Sequence, residues 1–191
     1  MKNIFKIVAL LFSVVSFAQI ADKAENVSPL LIGEKIPNVV LHDANGKEVK
    51  TKDILDKKTV LVVYRGGWCP YCNSQLADMQ EIEKDIIALG YQVIAISPDA
   101  PSFLKQTLDK KELQYKLYSD SEGVFSQAVG IAFAREKPKL DKYSEGKNPG
   151  FLPVPTVYVL NDKQEIEFMY INPNYGTRLK GDLLLAVLKS L

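Results

Sequence analysis

The sequence is short of cysteine, histidine and tryptophan: its 191 residues include two cysteines, one histidine and one tryptophan. Cys69 and Cys72 lie only three positions apart, which argues against a scaffold held by several disulfides. A structural zinc site needs about four ligands, and His42 lies far along the chain from both cysteines. Asn73 stands where covalent haem attachment would require a histidine. We therefore predict neither a metal site nor a cofactor.

An excess of charge of one sign is also missing, since 24 basic residues stand against 23 acidic residues. Binding to the phosphates of nucleic acid requires a strongly positive surface, so a nucleic-acid partner is not expected. Hydrophobic residues make up 47% of the chain, which is enough to bury the core of one ordinary domain.

The apolar run at residues 7–15 is shorter than the roughly 20 residues that span a bilayer. Two lysines precede this run and Ser-Phe-Ala follows it, a pattern typical of a signal peptide over residues 1–18. Cleavage is predicted between Ala18 and Gln19, and a retained membrane anchor is the alternative. We expect a protein that is exported to an extracytoplasmic space, a bacterial periplasm, and that is not embedded in the membrane.

The remaining chain is predicted to form an N-terminal arm over residues 19–35 and one domain over residues 36–191. Asn45-Gly46 lies between two extended runs and indicates a hairpin at the start of the domain. Continuous runs of β-branched and aromatic residues at 59–64 and 91–97 are typical of strands buried on both faces. Alternation of such strands with helices predicts an α/β fold in which helices flank a central mixed sheet.

Hydrophobic patterns predict further helices and strands after the hairpin. The helices lie at 51–55, 70–90, 102–111, 123–129 and 179–191, and the strands lie at 59–64, 91–97, 115–118, 157–160 and 166–171. Residues 135–150 are polar and contain lysine, proline and glycine, so a surface loop is predicted there. In the last helix, the side chains predicted to face inward are Leu183, Leu184, Val187 and Leu188.

The two cysteines lie in the run Trp68-Cys69-Pro70-Tyr71-Cys72, where a buried strand gives way to a helix. The Cys69 sulfur is expected at the helix N-terminus, where unpaired N–H groups and the helix dipole stabilise a thiolate. Arg65 would stabilise this thiolate further, while Trp68, Pro70 and Tyr71 would frame the site. Cys72 follows one turn later on the same face and is expected to be the more buried sulfur. The pattern predicts that Cys69 is the attacking nucleophile and Cys72 the resolving thiol.

An inert structural disulfide between the same cysteines is the alternative to this redox site. A disulfide that closes so short a loop removes little chain entropy and stabilises the fold weakly. The redox interpretation is therefore favoured.

A second feature is the proline at the start of a predicted strand, in Val154-Pro155-Thr156. Proline is tolerated at a strand start or a sheet edge, which is the simpler interpretation. The alternative is a cis peptide bond between Val154 and Pro155 that would present backbone groups to the dithiol.

Three motifs together resemble the alkyl hydroperoxide reductase and thiol-specific antioxidant family, in its peroxiredoxin-like branch with a thioredoxin-type Cys-x-x-Cys. They are residues 65–72, Ser119-Asp120 with Val129-Gly130-Ile131, and Val154-Pro155-Thr156-Val157. The resemblance covers about residues 30–190 and implies a thioredoxin fold with an added N-terminal hairpin.

The sequence departs from the pattern of that family at two positions. Ordinary peroxiredoxins carry Thr or Ser three residues before the reactive cysteine and Arg before the late strand, where this chain has Gly66 and Val154. These groups would hydrogen-bond the peroxide and stabilise developing charge. Thioredoxins instead have a buried acid on the strand before the cysteines, and Val63 occupies that place.

Three functions remain open at this point. The resemblance implies peroxide reduction through a sulfenic acid on Cys69, followed by an intramolecular disulfide with Cys72 and recycling by a thioredoxin-like electron donor. The second is exchange with disulfides of exported proteins, in which Trp68 and Pro155 would frame the partner chain. The third is a non-enzymatic binding module that uses residues 135–150, for which the pKa of Cys69 would stay near about 8.5.

Overall fold

A computed structural model describes residues 20–111, 114–135 and 138–191, so the predicted signal peptide at 1–18 lies outside the described residues. The strands in these ranges are β1 (Val40–Asp43), β2 (Glu48–Lys50), β3 (Thr59–Val63), β4 (Gln92–Ser97), β5 (Lys116–Ser119), β6 (Ala132–Ala134), β7 (Phe151–Pro153), β8 (Thr156–Leu160) and β9 (Ile166–Ile171). The helices are α1 (Thr51–Ile54), α2 (Pro70–Glu81), α3 (Glu83–Ala88), α4 (Pro101–Lys111), α5 (Val124–Ala128), α6 (Pro138–Tyr143) and α7 (Gly181–Ser190).

Seven of these strands form one mixed sheet in the order β2-β1-β5-β4-β3-β8-β9. Strands β3, β4 and β5 are parallel, because the helices between them carry the chain back across the sheet. The β1–β2 hairpin and the β8–β9 hairpin add antiparallel strands on the two sides of this parallel centre. The prediction of a central mixed sheet flanked by helices, with a hairpin at its N-terminal side, is confirmed.

The core lies on both faces of the sheet because successive side chains of a strand point to opposite faces. From β3, Val60 and Val62 pack in a cluster that contains both cysteines and Leu76 of α2. Leu61 and Val63 pack in the cluster on the opposite face. All five residues of β3 are buried, which explains why the strand reads as an unbroken apolar run.

The structure corrects the prediction of a surface loop at residues 135–150. It contains α6, the start of β7 follows it, and the Leu140 side chain is 4% exposed. The Tyr143 carbonyl accepts a hydrogen bond from the Ala100 N–H at 2.7 Å, which ties α6 to the end of the sheet that carries the dithiol. Proline at the first position of a helix starts it rather than breaks it, so the Pro138 that suggested a loop marks the beginning of α6.

The other differences from prediction are local. The helix predicted over 70–90 is divided at Ile82 into α2 and α3. Leu184 and Leu188 of α7 are buried as predicted. Leu183 is 54% exposed, so the prediction that it faces inward is wrong. His42 belongs to β1, where it pairs with Glu48 and Ser119.

Candidate active site

The strand ends bring distant parts of the chain to one edge of the sheet. Val63 at the end of β3 is in register with Ile96 of β4 and with Thr156 at the start of β8. Thr156 is in turn opposite Ile171 at the end of β9. The turn after β3, the turn after β4 and the segment at 172–180 after β9 therefore meet around the two cysteines.

Cys69 is the N-cap residue of α2, and Pro70 is its first helical residue. Proline fits there because the first N–H groups of a helix have no intrahelical acceptor. The Cys69 carbonyl accepts the first helical hydrogen bond, from the Asn73 N–H at 3.0 Å. Both cysteines are free thiols and are buried, Cys69 at 2% and Cys72 at 0% exposure. The predicted positions at the helix N-terminus, with Cys72 the more buried, are confirmed.

The two sulfurs share one proton, which stays mainly on Cys72. The Cys72 thiol donates a hydrogen bond to the Cys69 sulfur, and this bond contributes most to lowering the pKa of Cys69 to about 5. The charges of Arg65 and Arg178 lower this pKa further, against the opposing effect of burial. Burial, followed by the hydrogen bond and charge of Cys69, raises the pKa of Cys72 well above its usual range. Cys69 is therefore a thiolate at neutral pH while Cys72 is its proton donor.

Two guanidinium groups supply positive charge to the site. Arg65 is 5% exposed, and its guanidinium carbon lies 4.1 Å from the centre of the Tyr175 ring and 5.6 Å from that of Trp68. Arg178 Nη2 lies 3.3 Å from Cys72 Sγ. Arg65 Nε, Arg178 Nε and Arg178 Nη1 are buried and have no hydrogen-bond partner within the described residues. Such donors are free to bind a negatively charged or peroxidic oxygen.

A buried acid lies beneath the turn that leads to Cys69. Asp99, which is 1% exposed, accepts a hydrogen bond through Oδ2 from the Gly67 N–H at 2.7 Å. The Gly67 carbonyl accepts a second bond, from Asn73 Nδ2 at 2.9 Å. Burial raises the pKa of Asp99 to about 7, and the charge of Cys69 also raises it. A buried acid is thus present near the dithiol although Val63 stands where thioredoxins have one, and it lies in the turn after β4.

Gly66 occupies the position at which the resembling family carries Thr or Ser, and the structure has no room for a side chain there. Its φ is +133°, a region that residues other than glycine rarely adopt. A Cβ at this position would overlap Trp68 Nε1 and would lie 2.7 Å from Asp99 Oδ1. The Asp99 carboxylate and the Trp68 indole therefore fill the space that a hydroxyl side chain would need.

Aromatic side chains form a rim around the dithiol. Tyr71 is 50% exposed and Tyr175 is 48% exposed, and their rings meet edge to face with centroids 5.7 Å apart. Trp68 is partly buried, and Lys139 Nζ lies 5.9 Å from the centre of its ring. Of the residues predicted to frame the site, Arg65, Trp68 and Tyr71 are brought together here.

Of the two interpretations of Pro155, the cis peptide bond between Val154 and Pro155 is wrong, because no cis bond occurs among the described residues. The Val154 N–H donates to the Ile131 carbonyl at 2.9 Å, and the Val154 carbonyl accepts from Thr156 Oγ1 at 2.8 Å. Both polar backbone groups of Val154 are thus already engaged inside the protein. Val154 and Pro155, which join β7 to β8, and Thr156, which begins β8, are all buried, so they support the edge of the site from within.

Sequence reasoning missed Asp99, Tyr175 and Arg178. A signal for Asp99 existed, since it follows a buried strand parallel to the one before Cys69, and the carboxyl ends of parallel strands meet at one edge. Arg178 lies in the polar segment at 172–180, outside any helix or strand, and no local pattern links it to the cysteines.

The described residues contain no group of three or more His, Cys, Asp or Glu side chains that could hold a metal ion. Within the same ranges, no helix has the length and apolar character to cross a membrane.

The fold and the activated dithiol define a thiol oxidoreductase of the thioredoxin-fold class. The AhpC/TSA family profile matches residues 32–169, and the chain belongs to this family. A bcp protein of Haemophilus influenzae that carries peroxiredoxin in its name is 31% identical over 105 residues, which cover 55% of this chain and 68% of that protein. Peroxiredoxin bcp1 of Schizosaccharomyces pombe is 30% identical over 118 residues, which cover 61% of this chain and 58% of that protein.

Among solved structures, reduced Prx3 of Vibrio vulnificus in complex with hydrogen peroxide is similar, with a TM-score of 0.73 and 14% identity. The match covers 83% of this chain and 99% of that chain. At this identity the likeness concerns the fold. The family match and the similarity to the Haemophilus influenzae protein show that the chain is an enzyme of a peroxiredoxin family. The hypothesis of a non-enzymatic binding module is therefore wrong, and the lowered pKa of Cys69 agrees with this conclusion.

Proposed function

We propose that the protein is a peroxide reductase in which the Cys69 thiolate attacks an oxygen of the peroxide. The S–O bond forms as the O–O bond breaks, so that Cys69 becomes a sulfenic acid and the peroxide leaves as water or an alcohol. Cys72 then attacks the Cys69 sulfur, which closes an intramolecular disulfide and releases water. The observation that carries this proposal is the lowered pKa of Cys69 beside a protonated Cys72 that is hydrogen-bonded to it.

Arg65 and Arg178 supply the hydrogen-bond donors and the positive charge that Gly66 and Val154 lack. Arg65 and Arg178 have buried N–H groups without partners, and both charges act on Cys69. Donors held ready in a site with little water stabilise the negative charge that develops on a leaving oxygen. Hydrogen peroxide is bound by the similar Prx3 of Vibrio vulnificus, and we take it as the first substrate to test.

The disulfide form must be reduced for another cycle, and we propose a thioredoxin-like protein as the electron donor. The exposed rings of Tyr71 and Tyr175 beside the dithiol offer a surface for such a partner. Export to the periplasm also remains our proposal, and it rests on the pattern of residues 1–18. N-terminal sequencing of the exported protein should begin at Gln19, and an intact Met1 would contradict it.

The alternative function is exchange with disulfides of other proteins, which the same exposed aromatic rim favours. A single experiment separates the two. The reduced protein is mixed in a stopped-flow instrument with hydrogen peroxide and, in parallel, with a small disulfide, while the fluorescence of Trp68 is followed. Trp68 is the only tryptophan and lies next to Cys69, so the signal is local.

We expect peroxide to oxidise Cys69 far faster than the disulfide does. Cys69→Ser should abolish the change in Trp68 fluorescence with either reagent. Faster reaction with the disulfide would overturn peroxide reduction in favour of the alternative. Cys72→Ser should react with peroxide but stop at the sulfenic acid, which mass spectrometry after trapping identifies.

A further inference from the structure

Arg178 is a cation without an acidic partner in the described part of the protein. Nη2 contacts Cys72 Sγ at 3.3 Å, while the buried Nε and Nη1 atoms have no hydrogen-bond partner there. A buried charged group is costly unless it is paired. The negative charge available to it is the single thiolate that the two cysteines share.

The surroundings of Arg178 keep its guanidinium in position. Leu179, the next residue, is 1% exposed and belongs to the same core cluster as both cysteines. On the other side, Tyr175 packs on Arg65 and meets Tyr71 edge to face. The segment at 172–180 is therefore anchored on both sides of Arg178, against the helix that carries the cysteines.

The charge on Cys69 opposes ionisation of Cys72. In the reduced enzyme, burial raises the pKa of Cys72 most, and the hydrogen bond to Cys69 and the negative charge of Cys69 raise it further, whereas Arg178 and the Arg65 backbone N–H lower it. Conversion of Cys69 to a neutral sulfenic acid removes that charge and leaves Arg178 in place. Oxidation of Cys69 would thus make ionisation of Cys72 more favourable than it is in the reduced enzyme, with Arg178 as the cation that stabilises the thiolate.

We propose that Arg178 is a catalytic residue of the second chemical step, because it holds Cys72 as the thiolate that attacks the sulfenic acid on Cys69. This inference rests on the peroxide reduction proposed above. In the step, Cys72 gives up its proton and its sulfur forms the S–S bond as the S–O bond of Cys69 breaks. The departing hydroxide takes up that proton and leaves as water, so no further oxidant or reductant is required.

The first test separates the two steps in time. Arg178→Gln removes the charge but keeps a polar side chain, and Arg178→Lys keeps the charge without the planar fork. After one equivalent of hydrogen peroxide, Cys69 oxidation is followed by Trp68 fluorescence, and disulfide formation is followed by acid quenching and mass spectrometry. Lys180→Gln is the matched control, since it removes one positive charge from an exposed position two residues away.

In Arg178→Gln we expect disulfide closure to slow by about tenfold or more, as one pKa unit of lost thiolate stabilisation implies. Sulfenic acid should accumulate after the first equivalent of peroxide, and a further addition of peroxide should over-oxidise it to sulfinic acid. Arg178→Lys should recover part of the rate, and Lys180→Gln should match the wild type. Closure at the wild-type rate in Arg178→Gln would overturn the role of Arg178.

A second test does not depend on peroxide. Cys69→Ser replaces the thiolate by a neutral hydroxyl, as oxidation does, and the pKa of Cys72 can then be measured from its thiolate absorbance. We expect a lower pKa of Cys72 in Cys69→Ser than in the wild type, and a higher one when Arg178→Gln is added. An unchanged pKa on adding Arg178→Gln overturns the inference. Failure of Cys72→Ser to form any sulfenic acid with hydrogen peroxide would instead overturn the proposed function.

Discussion

The Asp99 carboxylate accepts a hydrogen bond from the Gly67 N–H at 2.7 Å, directly under the turn that carries Cys69. Burial raises the pKa of Asp99 to about 7, and the negative charge of Cys69 adds to this increase, so the ionised forms of the two groups repel each other. The interaction is mutual, so ionisation of Asp99 makes the Cys69 thiolate less favourable. Asp99 therefore positions the turn and adjusts the reactivity of Cys69 around neutral pH.

Asp99→Asn removes this charge and keeps an oxygen that can accept the Gly67 N–H. We expect the pKa of Cys69, measured by the pH dependence of alkylation, to stay near its wild-type value, because Asp99 is already protonated at the pH where Cys69 ionises. An inflection near pH 7 in the wild-type rate of peroxide reaction should disappear in the variant. Asp99→Ala, which also loses the hydrogen bond, should destabilise the protein more than Asp99→Asn. An inflection near pH 7 that persists in Asp99→Asn would contradict this prediction.

Arg65 should act on the first chemical step, whereas Arg178 is needed for the second step as well. Its charge lowers the pKa of Cys69, so Arg65→Gln should raise that pKa and slow the reaction of Cys69 with peroxide by up to about tenfold. Arg65→Lys should retain most of the effect. Lys139→Gln is the control, because it removes an exposed positive charge that lies near the Trp68 ring. Equal alkylation profiles in Arg65→Gln and Lys139→Gln would contradict the role of Arg65.

Gly66→Thr should fail to create a better peroxide site although it introduces the family's hydroxyl. The left-handed backbone and the contacts with Trp68 and Asp99 oppose any side chain at this position. We expect a loss of unfolding free energy of about 2 kcal/mol or more by urea denaturation. Gly46→Ala tests the backbone effect alone, since Gly46 has a φ of +81° and no atom within 4 Å of its added Cβ. A Gly66→Thr variant as stable as Gly46→Ala would contradict the steric argument.

Asp120 should make the folded state depend on pH. It accepts hydrogen bonds from the Phe125 N–H at 2.8 Å, the Ser126 N–H at 2.9 Å and Ser126 Oγ at 2.6 Å. Burial still raises the pKa of Asp120 to about 6, above the value of 3.8 expected when unfolded. The folded state therefore binds this proton more tightly, and its contribution to stability is present below about pH 4 and is lost as the pH rises to about 6.

Asp120→Asn removes this titration, so its unfolding free energy relative to the wild type should rise between pH 4 and pH 6. The slope is at most about 1.4 kcal/mol per pH unit. Urea denaturation of both proteins at several pH values measures it. The comparison cancels the opposite contribution of Cys69, whose lowered pKa is common to both proteins. A constant difference across this range would contradict the prediction.

Local sequence patterns predicted much of the fold correctly, but they failed where contacts between distant residues determine the local structure or the orientation of a side chain. The strand at β3 and the helix after it followed from a continuous apolar run and from the periodicity that precedes Gly90. The short strands β6 and β7 were missed because three residues carry too little periodicity to distinguish them from a loop. Leu183 was placed inward because a helix with four nearby apolar residues does not reveal which of them faces the sheet.

The same division holds for the site. The sequence alone determined the reactive pair, because a buried strand, a tight turn, Pro70 and a helix place Cys69 at a helix N-terminus whatever surrounds them. Only the tertiary structure decided which charges surround that pair. Asp99 and Arg178 reach it through the order and direction of strands β4, β3, β8 and β9, and strand order depends on packing between distant segments, which no local pattern records.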